Sequence, residues 1–242
     1  MQVKIEGITK KLGQREVLNN ISFVVPDNKC VGLIGPNGAG KTTILRLILG
    51  LYIEDRGRVL FDDKKREQLN LADPDTCITF LLDASGLMRL LTVRENIEFY
   101  HRFYCRNESS DKRNEEIDNI LKRINLYDYR NAGIKELSRG MKQRLSIGKT
   151  MVAHPRFFVM DEPYLGLDVE AQIFLSDYIQ ELKASGCTIL ISAHDLGHLE
   201  KICDEAVFIK NGTIVAHINI PADCKRDYLE DLYKEYIIEG KG

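Results

Sequence analysis

The stretch Gly35-Pro36-Asn37-Gly38-Ala39-Gly40-Lys41-Thr42 follows the pattern G-x-x-x-x-G-K-[ST] and runs on into Thr43. Glycines let a backbone curl until successive N–H groups point inward, and a helix starting at the end of such a loop adds its positive end. A triphosphate fits that concavity. Lys41 has the reach for the β- and γ-phosphates, and the Thr42 hydroxyl is a ligand for Mg2+. The competing explanation is a bare glycine-rich turn with an exposed lysine. Context argues against it: an apolar run, Cys30-Val31-Gly32-Leu33-Ile34, precedes the loop and a helical stretch, 42–49, follows.

Such a loop needs a carboxylate for the metal, ordinarily at the end of a neighbouring buried strand. The run Phe157-Phe158-Val159-Met160-Asp161-Glu162 offers two. Asp161 is the Mg2+ candidate, acting directly or through water. Glu162 stands one residue on, so its side chain points elsewhere, toward an attacking water. It is the candidate general base. Two acids after four apolar residues also suit a strand end facing solvent; the glycine loop in the same chain favours the catalytic assignment.

The elements that must position these groups follow from periodicity. Val3, Ile5 and Ile8, then Leu18, Ile21, Phe23 and Val25, alternate as half-buried antiparallel strands do. Residues 58–61 before Asp62-Asp63 read as one arm of a hairpin. Residues 84–154 differ in texture. Thr92 and Glu95 form a capping box, and Val93, Ile97, Tyr100 and Tyr104 share a helical face. Ile117, Ile120, Leu121 and Ile124 predict a second helix, with the polar residues 106–116 as an exposed turn before it. Ser138 caps a third, with Met141, Leu145, Gly148 and Val152 on its stripe. Strand patterns return at 157–160 and 188–191, with a helix at 168–184 between them and another after Asp195. Strands at 206–209 and 213–216 flank Asn211-Gly212, a hairpin signal. Residues 221–242 read as a small C-terminal helix with a frayed tail. The whole is α/β with a helical insertion and a mostly parallel core.

The chain has 242 residues, 44% of them hydrophobic and 29% charged, with a formal charge of −2. This is one large domain that needs no disulfide or structural metal. The absence of basic excess argues against nucleic acid as the main partner. Six scattered cysteines without a CxxC suit a reducing cytosol. No signal peptide is expected, and no stretch approaches the roughly 20 apolar residues of a membrane span. This chain alone makes no pore.

Leu137-Ser138-Arg139-Gly140-Met141-Lys142-Gln143-Arg144 resembles the signature motif of the ATP-binding cassette family, the nucleotide-binding subunits of ABC transporters. Ser138 lies 23 residues before Asp161, the family's usual spacing. The resemblance runs from about residue 3 to residue 215, and the chain looks like bacterial efflux-type cassettes. It implies a P-loop NTPase (RecA-like) core at 1–83 and 155–220, with an N-terminal antiparallel β subdomain. It further implies an inserted α-helical subdomain at 84–154 and a C-terminal helix or tail at 221–242.

It also implies how the parts cooperate. Two cassettes, identical or homologous, pair head to tail, and each ATP is sandwiched between one P-loop and the partner's Ser138, Arg139 and Gly140. Asp168, after Leu165-Gly166-Leu167, resembles the acidic member of the loop crossing that interface; it also suits an N-cap. His194, after a core strand, matches the switch histidine that would contact the γ-phosphate and orient water. Only its position separates it from the other four histidines.

Several positions depart from the family pattern. Leu12 stands where an aromatic residue stacks on adenine, so base discrimination should be loose. Asp83 takes the place of a glutamine that contacts Mg2+ and water; a shorter, charged ligand would tighten metal binding or alter coupling. Arg139 replaces a common glycine, and Tyr164 a serine or threonine. The resemblance implies an ATP- and Mg2+-dependent ATPase at the inner face of the cell membrane, driving a separate transmembrane permease docked around 83–91. The segments 82–87 and 91–96, with the short tail, resemble exporters of drugs, peptides or ions. An importer subunit, a soluble ATPase of translation or DNA repair, and a purely regulatory module are the alternatives.

Overall fold

The computed structural model describes residues 1–69, 76–82, 86–105, 108–193, 196–224 and 226–240. Six strands make the central sheet, in the order β10-β9-β3-β8-β7-β6. Four of them, β3 (Cys30–Ile34), β6 (Ile78–Leu82), β7 (Phe157–Asp161) and β8 (Thr188–Ser192), are joined by parallel pairing, as is β9 (Glu205–Lys210) to β3. Only β10 (Thr213–Asn219) runs antiparallel, through the Asn211-Gly212 hairpin. The sequence logic is plain at β3 and β8, where every residue is buried. A strand covered on both faces reads as a near-continuous apolar run.

A second, antiparallel sheet has the order β2-β1-β4-β5. Its strands are β1 (Val3–Leu12), β2 (Arg15–Val25), β4 (Arg56–Phe61) and the short β5 (Lys64–Lys65). Alternation puts Val3, Ile5, Leu18, Ile21 and Val25 into a core shared with α1 (Lys41–Ile48) and one face of the central sheet. Across it, Phe61 meets Phe157 edge to face at 6.2 Å. The other face of the central sheet carries a second core, built with α2 (Val93–Tyr104), α3 (Ser110–Arg123), α4 (Arg139–Met151), α5 (Val169–Ala184) and α6 (Leu196–Ile202). No helix among the described residues is long and apolar enough to cross a membrane.

Two expectations need correction. The polar stretch before Ile117 is not a turn over its whole length: α3 begins at Ser110, capped by Ser109, whose hydroxyl accepts from Lys112 N at 3.4 Å. The first turns of α3 are held by polar links to α2 rather than by an apolar stripe. Arg94 pairs with Asp118 and donates to Asn114 Oδ1 at 3.0 Å, and His101 bonds Glu116 at 2.9 Å. The C-terminal tail is also not frayed as far as it is described. After α7 (Tyr228–Tyr233) the chain widens into a π-helical turn, Lys234–Glu239, that buries Ile237 and sets Tyr236 5.4 Å from Phe208 of β9.

Candidate nucleotide-binding site

The glycine loop joins the end of β3 to the start of α1. A Cβ at Gly35 would stand 2.3 Å from the carbonyl oxygen of Ile209, so only glycine lets the loop leave the sheet here. Gly40 caps α1 with φ +112°, a conformation L side chains rarely adopt. The curl encloses a cavity of about 260 Å³, lined by residues 36–43 except Ala39, and by Arg15, Val17 and Glu162. Gly35 and Ala39 lie buried behind the lining.

Lys41 is 6% exposed, and its ammonium donates to the carbonyls of Gly35 at 2.6 Å and Pro36 at 3.4 Å. Burial lowers its pKa; the nearby charges of Glu162, 3.9 Å away, and Asp161 work in the opposite direction. The Thr42 hydroxyl donates to Asp161 Oδ2 at 2.8 Å. Thr42 and Asp161 thus present two hard oxygen donors side by side, a set that fits Mg2+.

Glu162 leaves β7 with φ +48°, unusual for a residue with a side chain. Its N–H anchors that geometry by donating to the carbonyl of Ser192 at 3.0 Å and to its hydroxyl at 3.1 Å. The same hydroxyl donates to Asp161 Oδ1 at 2.5 Å. The turn therefore aims two successive carboxylates apart, with Glu162 in the cavity wall.

The structure does not bring every candidate to this cavity. Leu12 ends β1, 41% exposed and outside the lining; its register partner Arg15 is in the lining. Ser138, Arg139 and Gly140 also lie outside it. Ser138 caps α4, accepting from Met141 N at 3.2 Å, and a Cβ at Gly140 would stand 3.7 Å from Asp168 Oδ2. Asp168 caps α5 and is paired with Arg144 at 3.2 Å, so its own chain's signature helix holds it. Arg139 lies against Gly166, and Tyr164 stacks on His198 at 4.1 Å. His194 and Asp83 fall outside the described residues. Sequence reasoning missed Ser192, Arg15 and Arg144. A polar residue closing the apolar run of β8 was the signal available for Ser192.

Fold and site together define a P-loop nucleoside-triphosphatase. The ABC transporter family matches residues 18–165. An uncharacterized ABC transporter ATP-binding protein of Methanocaldococcus jannaschii is 34% identical over 99% of this chain and 84% of its own. The lantibiotic transport ATP-binding protein SrtF of Streptococcus pyogenes is 30% identical over 99% of both, and a Nod factor export ATP-binding protein I of Rhizobium sp. 33% over 88% and 69%. An ATP-binding subunit of an ABC transporter superposes with TM-score 0.82 at 26% identity, covering 98% of this chain and 93% of that one. A dimeric ATP-binding cassette in a post-hydrolysis state with ADP and Pi gives 0.81 at 25%, covering 90% and 99%. The chain belongs to the ABC transporter ATP-binding family and is an ATPase of that family.

Proposed function

We propose that this chain is the motor subunit of an export system, working as a head-to-tail pair against a separate membrane-spanning partner. One observation carries the pairing. The α4 N-terminus, with exposed Ser138 and Arg139, stands outside the chain's own phosphate cavity, among residues of its own 165–170 loop. A helix start of this kind attracts anions, and in this reading a second copy brings the phosphate to it.

In each half, the loop amides and the α1 N-terminus take the phosphates of ATP, and Lys41 turns its ammonium from the Gly35 and Pro36 carbonyls to the β- and γ-oxygens. Thr42 and Asp161 would hold Mg2+, which neutralises phosphate charge when bound. Glu162 takes a proton from the water attacking the γ-phosphorus, and ADP and phosphate leave. Ser192 keeps Asp161 and the Glu162 backbone in register. In this reading His194 orients the water, Asp83 links the site to the helical insertion, and Leu12 borders the base.

Export is supported by the relatives named for lantibiotic transport and Nod factor export. The docking surface proposed around residues 83–91 is supported by Leu90, 97% exposed, and by Met88 beside it. The test is Glu162→Gln. This variant should bind ATP and accumulate as a dimer while turnover collapses by about 10²-fold or more. Full activity would overturn the general-base role, and co-purification with ribosomes or DNA instead of a membrane protein would overturn the transport role.

A further inference from the structure

Away from the nucleotide cavity, one cluster of ligand-type side chains converges in the helical insertion. His101 of α2 is fully buried. Its Nε2 stands 2.9 Å from Glu116 Oε2 on α3 and 3.3 Å from Glu108 Oε2 just before α3. From the α4–β7 connection, His154 brings its own Nε2 to 3.6 Å from the other oxygen of Glu116. The His101, Glu108 and Glu116 donor atoms all lie within 4.8 Å of one another.

Hydrogen bonding within the protein accounts poorly for this arrangement. A single ring N–H serves one acceptor well, yet two carboxylates face the same nitrogen. Among the described residues, neither Glu108 nor Glu116 has a lysine or arginine ion pair, so both carboxyl groups converge on one buried imidazole. His101 Nδ1 has no partner among the described residues. Nε2 is the ring nitrogen that meets both carboxylates, and a metal ion bound there would displace its proton. Tetrahedral ligands about 2.1 Å from a metal stand about 3.4 Å apart, close to the 2.9 and 3.3 Å between His101 Nε2 and the two carboxylates, with His154 Nε2 3.6 Å from the other Glu116 oxygen.

We propose that His101, Glu108, Glu116 and His154 form a divalent transition-metal site of the zinc class. Two imidazoles select such an ion over Mg2+ or Ca2+, which prefer oxygen alone. The ion clamps α2, α3 and the α4–β7 connection together. It fixes the helix that carries the exposed Phe99 and Phe103.

The test uses the full chain, stripped by a chelator and then titrated with Zn2+ in excess Mg2+, read by calorimetry and thermal unfolding. One saturable equivalent per chain and a raised Tm are expected. His154→Ala and Glu108→Gln alter exposed side chains and should fold normally. Each should weaken Zn2+ binding about tenfold or more and lose the Tm rise. Co2+ in place of Zn2+ should give a tetrahedral visible spectrum without a thiolate charge-transfer band. Absence of a saturable equivalent, affinity unchanged in both variants, or a thiolate band would overturn the site.

Discussion

The hydroxyl of Ser192 donates to Asp161 Oδ1 at 2.5 Å while Thr42 donates to Oδ2 of the same carboxylate at 2.8 Å. Asp161 is thus held from two strand ends, β3 by way of its loop and β8. Partners that orient a ligating carboxylate typically carry 10- to 100-fold in metal affinity or activity. Ser192→Ala should therefore raise the Mg2+ concentration needed for half-maximal ATPase by about tenfold, with ATP binding in the absence of Mg2+ unchanged. ATPase rates over a Mg2+ series check this; an unaltered Mg2+ dependence would reject the role given to Ser192.

Much of this arrangement was legible from residue type and spacing. The nearly continuous apolar runs at 30–34, 157–160 and 188–191 read as buried strands, and the loop and acids at their ends followed. Ser192 was not legible, because pairing between β7 and β8 creates its contacts, and no local pattern encodes which strand lies beside which. The early start of α3 escaped for a different reason. Its first turns are stabilised by cross-links from Arg94 and His101, 20 and 15 residues away in sequence, and carry no apolar period. At the C-terminus, the tail shows scattered apolar residues that become a stripe only once a π-helical turn sets Tyr236 and Ile237 on the core.

Lys41 offers a prediction in pH. Burial lowers its pKa, and the charges of Glu162 and Asp161 hold it partly up. The folded protein therefore releases this proton at lower pH than a free lysine does, and triphosphate affinity should fall as pH rises through that titration. Glu162→Gln removes one supporting charge and lowers the Lys41 pKa further. The alkaline loss of ATP affinity should then begin at lower pH in Glu162→Gln than in the parent protein. Equilibrium ATP binding measured from neutral pH upward distinguishes the two; coincident profiles would show that the Glu162 charge does not reach Lys41.

Arg144 tests whether the signature helix and the 165–170 loop act as one unit. Its guanidinium bridges Asp168 at 3.2 Å and Glu170 at 3.1 Å. The Asp168 carboxyl is lowered first by the Ala171 N–H and then by Arg144. Exposed pairs of this kind contribute little to stability, so Arg144→Ala should barely shift the Tm. Loss of that ordering at a paired interface should slow turnover by about fivefold. ATP affinity of the single chain should stay within about twofold, because none of these residues lines the cavity. A parallel fall in ATP affinity would mean that the pair supports the fold, not the assembly.

Leu12 tests how the base is held. It faces Arg15 across the end of the β1–β2 hairpin, and directly opposed residues have Cβ atoms about 5 Å apart. Arg15 lines the cavity, so a larger side chain at position 12 reaches its rim. In the proposed role, leucine would supply apolar contact without a π-face, and nothing in such a contact would separate adenine from guanine. Comparable kcat/KM for ATP and GTP is therefore expected of the parent protein. Leu12→Tyr adds a stacking surface worth about 0.5–1.5 kcal/mol, or about 2- to 12-fold in affinity. Because every purine has a π-face, both nucleotides should gain by a similar factor and their ratio should hold. Leu12 is already 41% exposed, so the substitution should leave the Tm unchanged. Paired ATP and GTP titrations decide the matter: a strong ATP preference in the parent, or no gain for either nucleotide in Leu12→Tyr, would place base recognition elsewhere, with Arg15 the next side chain to change.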